Sequence, residues 1–127
     1  MEVSGQFSID RSAPRRARGL LDGFRDALDE DAVSSAALVV SELVANCVRH
    51  GGQEGLISVC VRRDGDSLSV RVSSPTGQAK PHLVRYGDRL SGKGGIGLRI
   101  VDRLASRWEV HDDESQTTVW AELPVPV

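Results

Sequence analysis

The chain has 127 residues, 39% of them hydrophobic and only 4% aromatic, which fits a single domain with a core of Val, Leu, Ile and Ala. Its formal net charge is −2, with Arg scattered among Asp and Glu, so no basic stripe marks a nucleic acid or an anionic membrane as partner. There is no run of about 18 apolar residues and no charged-then-apolar leader, so neither a membrane span nor a secretory signal is expected and the expected location is cytoplasmic.

Gln6-Phe7-Ser8-Ile9 alternates and predicts a short edge strand. Ser12-Ala13-Pro14 reads as a helix start with Ser12 at the N-cap, and Ala17, Leu20, Leu21, Phe24 and Leu28 continue it as one amphipathic helix. Asp29-Glu30-Asp31 interrupts the pattern, and a second helix is expected from about Val33 to Arg49, closed by Gly51-Gly52. Leu56 to Val61, the turn Asp64-Gly65-Asp66, and the alternation of Leu68, Val70 and Val72 with polar residues predict a β-hairpin with one covered face.

Residues from Ser73 to Lys93 carry Pro75, Gly77, Pro81, Gly87 and Gly92 with little periodicity. A loop of about twenty residues inside a compact domain is uncommon unless functional, and this one (a lid at about 73–95) is expected to cover a ligand. A third helix opens at Gly97, with Val101, Leu104, Ala105 and Trp108 on one face. Two last strands are expected near Trp108 to His111 and from Thr117 to Leu123. The order describes one α/β (α+β) two-layer sandwich over residues 1–127, a mostly antiparallel mixed sheet covered on one face by about three helices.

Two stretches carry chemistry. In the second helix Glu42, Asn46 and His50 stand four residues apart and form one stripe, flanked by Leu38, Val39 and Leu43. A carboxylate and a carboxamide enclosed in this way are costly unless paired or serving a ligand, metal or water. A capped, hydrogen-bonded core helix accounts for the same stripe without any ligand. The other stretch, Gly92-Lys93-Gly94-Gly95-Ile96-Gly97-Leu98, opens a helix, where backbone N–H groups and the helix dipole suit phosphate. Cys47 and Cys60 lack CxxC spacing and read as buried reduced thiols, and His50, His82 and His111 are too dispersed for a zinc set.

Together these stretches resemble a known family. SELVANCVRHG is similar to the N box, and GKGGIGLRIVDRLASRWEV to the second glycine box, of the GHKL ATP-binding (Bergerat-type) fold shared by histidine kinase catalytic domains, gyrase, Hsp90 and mismatch-repair ATPases. The short chain, the ELVxNxxRHG form and the closing TVWAEL strand most resemble stand-alone bacterial anti-sigma-factor serine kinases. The resemblance implies ATP or ADP with Mg²⁺ as cofactors, Asn46 as the metal ligand through its side-chain oxygen, and Glu42 as general base toward a serine hydroxyl. It implies nucleotide contacts from Ser74, Thr76, Lys93, Gly94, Gly95, Ile96, Gly97, Leu98 and Thr118. His50 is expected to brace the helix end.

In the family the strand equivalent to Leu68-Val70-Val72 ends in an inward Asp that accepts from the adenine amino group. Ser74 holds that position here, and the loss of a charged acceptor costs about 1.5–3 kcal/mol, roughly tenfold to a hundredfold in affinity. Thr76 stands where the same box often has a small residue, but the box's full set of glycines is missing. The resemblance therefore implies a MgATP-dependent switch that sequesters a sigma factor and phosphorylates a serine on a small antagonist protein, as a homodimer. The alternative is a degenerate relative that regulates by sequestration alone, and the plainest reading is an α/β domain whose glycines only make turns.

Overall fold

The computed structural model describes residues 1–50, 55–75, 95–112 and 115–125, as backbone alone at 50, 95–98 and 112. The elements are β1 (Glu2–Ser8), α1 (Ala13–Arg18) running into a 3₁₀ turn (Gly19–Phe24), α2 (Glu30–His50), β2 (Leu56–Asp64), β3 (Ser67–Pro75), α3 (Gly95–Leu104), β4 (Arg107–Asp112) and β5 (Gln116–Pro124).

β1 is longer than the alternation in Gln6 to Ile9 suggested, because its inward positions are Val3, Gly5 and Phe7, of which only two look apolar. Ser12 does sit at the N-cap of α1, but its hydroxyl caps nothing in the helix. It donates instead to Asp10 Oδ1 at 2.6 Å, and the same oxygen accepts the Ser12 backbone N–H at 2.8 Å. Asp10 thereby shapes the turn, and these bonds, with Arg16 3.1 Å away, hold its carboxyl below the usual carboxylate value.

The first helix expected as one piece breaks at Arg18 into the 3₁₀ turn. Gly19 and Gly23 lower helix propensity there, and Gly23 lies so close to β1 that a side-chain carbon would come within 3.1 Å of Val3 Cγ1. The apolar repeat survives the break, since Ala17, Leu21 and Phe24 are all buried.

α2 begins three residues before the sequence-based expectation. The Asp29 carboxylate accepts the Ala32 backbone N–H at 2.7 Å, so the acidic triplet starts the helix that it was expected merely to precede. By length and composition α2 could cross a membrane, yet it is the central core helix here. Ala36, Val39, Val40, Leu43 and Val44 are each no more than 1% exposed, packed with β2, β3 and the other helices.

The five strands lie in the order β1-β2-β3-β5-β4, and all four described junctions are antiparallel. Strand alternation gives the sheet one apolar face under the helices, built on Ile57, Val59, Val61, Leu68, Val70, Val72, Val119, Ala121 and Leu123. The other face is polar, with Ser4, Gln6, Ser58, Arg71, Ser73 and Glu122 along it. Gly65, at φ +60°, turns the β2–β3 hairpin. Gly55, at φ +113°, leads into β2 where any β-carbon would lie 2.7 Å from Pro75 Cγ. Trp108 belongs to β4 and not to the third helix: α3 closes with Ala105 N–H donating to the Val101 carbonyl. The indole is buried and its Nε1–H donates to Asp102 Oδ1 of α3 at 3.0 Å, so helix and strand are tied across the turn.

Candidate functional site

α2 lies over the end of the hairpin that carries Ser74, and α3 packs beside α2. The i, i+4 spacing does place Glu42 and Asn46 on one line of α2, Glu42 half-buried and Asn46 only 3% exposed. Leu38 does not wall this line as expected. It is 41% exposed, because the outward arc of α2 runs through Asp31, Ser34, Leu38 and Arg49. The line is therefore open on the Leu38 side and buried on the side of Leu43 and Cys47.

Asn46 is the unusual residue. Its Nδ2 is buried with no hydrogen-bond partner among the described residues, and its Oδ1 accepts only a long bond, 3.4 Å, from Arg49 Nη2. A buried amide donor left unpaired costs about 1–3 kcal/mol, an expense that a stable core sheds and a binding site keeps. A carboxamide oxygen already turned to a cationic group is also a hard donor suited to a metal cation.

Ser74 continues the β3 alternation inward and is 5% exposed. Its side chain lies beside the Cys47 thiol of α2, and burial pushes that thiol's pKa up, which keeps it neutral. Across the β3–β5 ladder Ser74 stands opposite Thr117, itself 3% exposed. Thr118, expected as a nucleotide contact, is on the other face of the sheet. It pairs with Ser73 through a 2.8 Å hydroxyl–hydroxyl bond, because strand alternation sends neighbours to opposite faces. The threonine that joins Ser74 and Cys47 is Thr117, and the signal was available, since counting inward from Leu123, Ala121 and Val119 reaches Thr117 and skips Thr118. Cys47, one residue beyond Asn46 on the apolar arc, is the buried core thiol that its context predicts, and it lies beside Ser74.

Gly95, Ile96, Gly97 and Leu98 form the first turn of α3, two residues earlier than expected, and their backbone is all that is described. Thr76, Lys93, Gly94 and the body of the expected lid lie outside the described residues, as does the side chain of His50. The arrangement thus joins four parts on the helical side of the sheet: a half-buried carboxylate, a buried carboxamide with an unused donor, a neutral polar trio and a glycine-opened helix start.

A two-layer sandwich carrying that set on a central helix is the architecture of an ATP-binding domain of the histidine kinase type. Residues 11–123 match the family described as "Histidine kinase-like ATPase domain", and the chain belongs to that family. Among solved structures it is similar to the RsbU and RsbW domains of Rv1364c from Mycobacterium tuberculosis, at 18% identity with a TM-score of 0.72. The match covers 98% of this chain and 32% of that one, so this chain spans about a third of the length of the chain it matches. No curated protein matches the sequence.

Proposed function

We propose that the chain is a nucleotide-dependent regulatory protein of the anti-sigma-factor serine kinase type, which binds MgATP, sequesters a sigma factor or similar regulator, and phosphorylates a serine of a small antagonist protein. The observation that carries this reading is Asn46: a buried carboxamide whose Nδ2 has no partner among the described residues, one turn from the half-buried Glu42. The likeness of fold to a chain that contains an RsbW domain supports the regulatory setting.

Asn46 Oδ1 fits a Mg²⁺ ion held chiefly by nucleotide phosphates and water. Among the described residues no group of three or more His, Cys, Asp or Glu side chains could hold a metal without such help. When bound, the ion would neutralise charge on the phosphates. The N-terminal turn of α3 presents backbone N–H groups to phosphate oxygens. In the transfer step Glu42 accepts the proton of the attacking serine hydroxyl. The serine oxygen bonds to the γ-phosphorus, the bridging oxygen departs with its electron pair, and ADP is released. The regulator acts in the cytoplasm as a homodimer.

Calorimetric titration of MgATP into the parent and Asn46→Ala tests the binding half, and transfer of labelled phosphate to a serine-bearing antagonist tests the other. Micromolar binding that Asn46→Ala abolishes supports the reading, and absence of binding by the parent refutes it. Ser74, a neutral group at 5% exposure, favours the second reading, in which the fold regulates by sequestration with little turnover. Tight binding with turnover lost in Glu42→Ala would eliminate that reading.

A further inference from the structure

The sheet treats its two margins differently. β4, at one end, is short and carries Arg107, Glu109 and Asp112, charges of the kind that keep other strands off an edge. β1, at the other, runs from Glu2 to Ser8 with no lysine, no proline and no charge after Glu2, and it pairs with β2 in an unbroken register without a bulge. Val3 and Phe7 pack on the core from this strand and stay partly exposed at its margin.

The pairing also fixes which backbone groups face outward. The Arg63 N–H donates to the Met1 carbonyl at 2.9 Å, and the register puts these two residues opposite each other. In an antiparallel ladder bonded pairs alternate with unbonded ones, so Val3, Gly5 and Phe7 turn their N–H and C=O toward β2. Glu2, Ser4, Gln6 and Ser8 turn theirs to the free side, where no strand meets them among the described residues.

The strand that satisfies this edge best is β1 itself. Laid antiparallel about a two-fold axis at Gly5, two copies set Ser4 opposite Gln6 and Glu2 opposite Ser8, and each pair exchanges both N–H···O bonds. The same register sets Val3 opposite Phe7 on the helical side, apolar against apolar, and brings no like charges face to face. Gly5 meets Gly5 at the axis, an unbonded position where the chains come closest, and glycine brings no side chain to that contact. A shift by one residue sets outward groups against groups turned to β2, and a shift by two sets Gly5 against Val3 or Phe7 and loses the apolar pair. We infer that two copies of this chain join through the free edge of β1 in this register, forming one continuous antiparallel sheet with the helices of both copies on the same face. The inference rests on the homodimer reading above and names its surface, and it stands apart from nucleotide binding.

Sedimentation equilibrium of the full chain and of Ser4→Pro gives the dimer dissociation constant, and amide hydrogen exchange read residue by residue by NMR reports on the edge. Proline at position 4 removes an outward N–H and leaves the bonds to β2 whole, because a strand accommodates proline where its N–H faces solvent. Ser4→Pro is expected to keep the fold and weaken the dimer by at least about tenfold. In the parent dimer the Ser4 and Gln6 amides should exchange slowly, as those of Gly5 and Phe7 do. In Ser4→Pro the Gln6 amide should lose its protection while Gly5 and Phe7 keep theirs. A dimer whose dissociation constant is unchanged in Ser4→Pro, or whose Ser4 and Gln6 amides exchange freely in the parent, overturns the inference and leaves the homodimer reading standing. A parent that stays monomeric at its highest soluble concentration ends both. Should Ser4→Pro fail to fold, amide exchange in the parent decides.

Discussion

Replacing Asn46 by leucine separates what the residue does for the fold from what it does for a ligand. Leucine has the same branched arrangement of four side-chain heavy atoms as asparagine, so the substitution removes polarity with little change of shape. Asn46 is 3% exposed and, among the described residues, its Nδ2 has no partner and its Oδ1 accepts only the 3.4 Å bond from Arg49. Relief of the stranded donor is worth about 1–3 kcal/mol, and the long bond from exposed Arg49 returns less than about 1 kcal/mol. The expected balance is stabilisation of the nucleotide-free protein by about 1–2 kcal/mol. For a chain of this size that raises the melting temperature by about 3–8 °C. Thermal melts of parent and Asn46→Leu, with and without MgATP, provide the check. The variant should melt higher without nucleotide and gain nothing from it, whereas the parent gains. A nucleotide-free variant destabilised by about 1 kcal/mol or more would refute the reasoning and make Asn46 an ordinary structural amide.

Leu43, one residue beyond Glu42 and 1% exposed, should cost about 2–5 kcal/mol as Leu43→Ala, read from urea unfolding at unchanged slope. Gly55→Ala combines φ +113° with a contact of 2.7 Å on Pro75, so it should destabilise by about 1–3 kcal/mol in the same assay. Of the two thiols, partly exposed Cys60 should react with a thiol reagent in the native protein and buried Cys47 only after unfolding; two reactive thiols in the native state would contradict the packing of Cys47 under Ser74. The raised pKa of Cys47 also fixes a sign. The unfolded thiol ionises first, so stability should begin to fall as pH rises past the ordinary thiol value and continue to fall toward the raised folded value, and Cys47→Ala should flatten that alkaline slope in urea titrations.

Periodicity made the hairpin, the core helix and the two last strands readable, because each buries one face and leaves the other polar. The inward place of Ser74 followed from alternation alone, three steps of two from Leu68. Where the sequence misled, a local interaction outweighed the pattern. Asp29 began α2 early by accepting a backbone N–H, and Gly19 and Gly23 turned a continuous apolar repeat into a helix and a 3₁₀ turn. Trp108 satisfies a helical repeat and a strand equally well, and the termination of α3 after Leu104 settles it in the strand. In the site, the Glu42–Asn46 line was legible from i, i+4 spacing. The approach of Cys47 to Ser74 was not, because which helix residue meets which strand residue depends on their rotation about each other, which neither segment records. The stranded Nδ2 of Asn46 was equally hidden, since an unmet bond is a property of the packed environment.

The strand order has a consequence for how the protein is made. β5, the last of the five described strands in chain order, lies inside the sheet between β3 and β4, not at its margin. On a ribosome the β1–β2–β3 meander can assemble around α2 while the rest is still emerging, but β4 has no described partner except β5 and must wait for it. Closure of the sheet is therefore deferred until β5 has emerged and seats Val119, Ala121 and Leu123 beside Val72, Val70 and Leu68. Until then the margin of β3 is an unprotected strand edge, the surface by which a nascent sheet recruits the wrong neighbour. A chain lacking this one strand would lose an internal strand of its sheet and with it the described partner of β4, and should be found in aggregates or bound to chaperones.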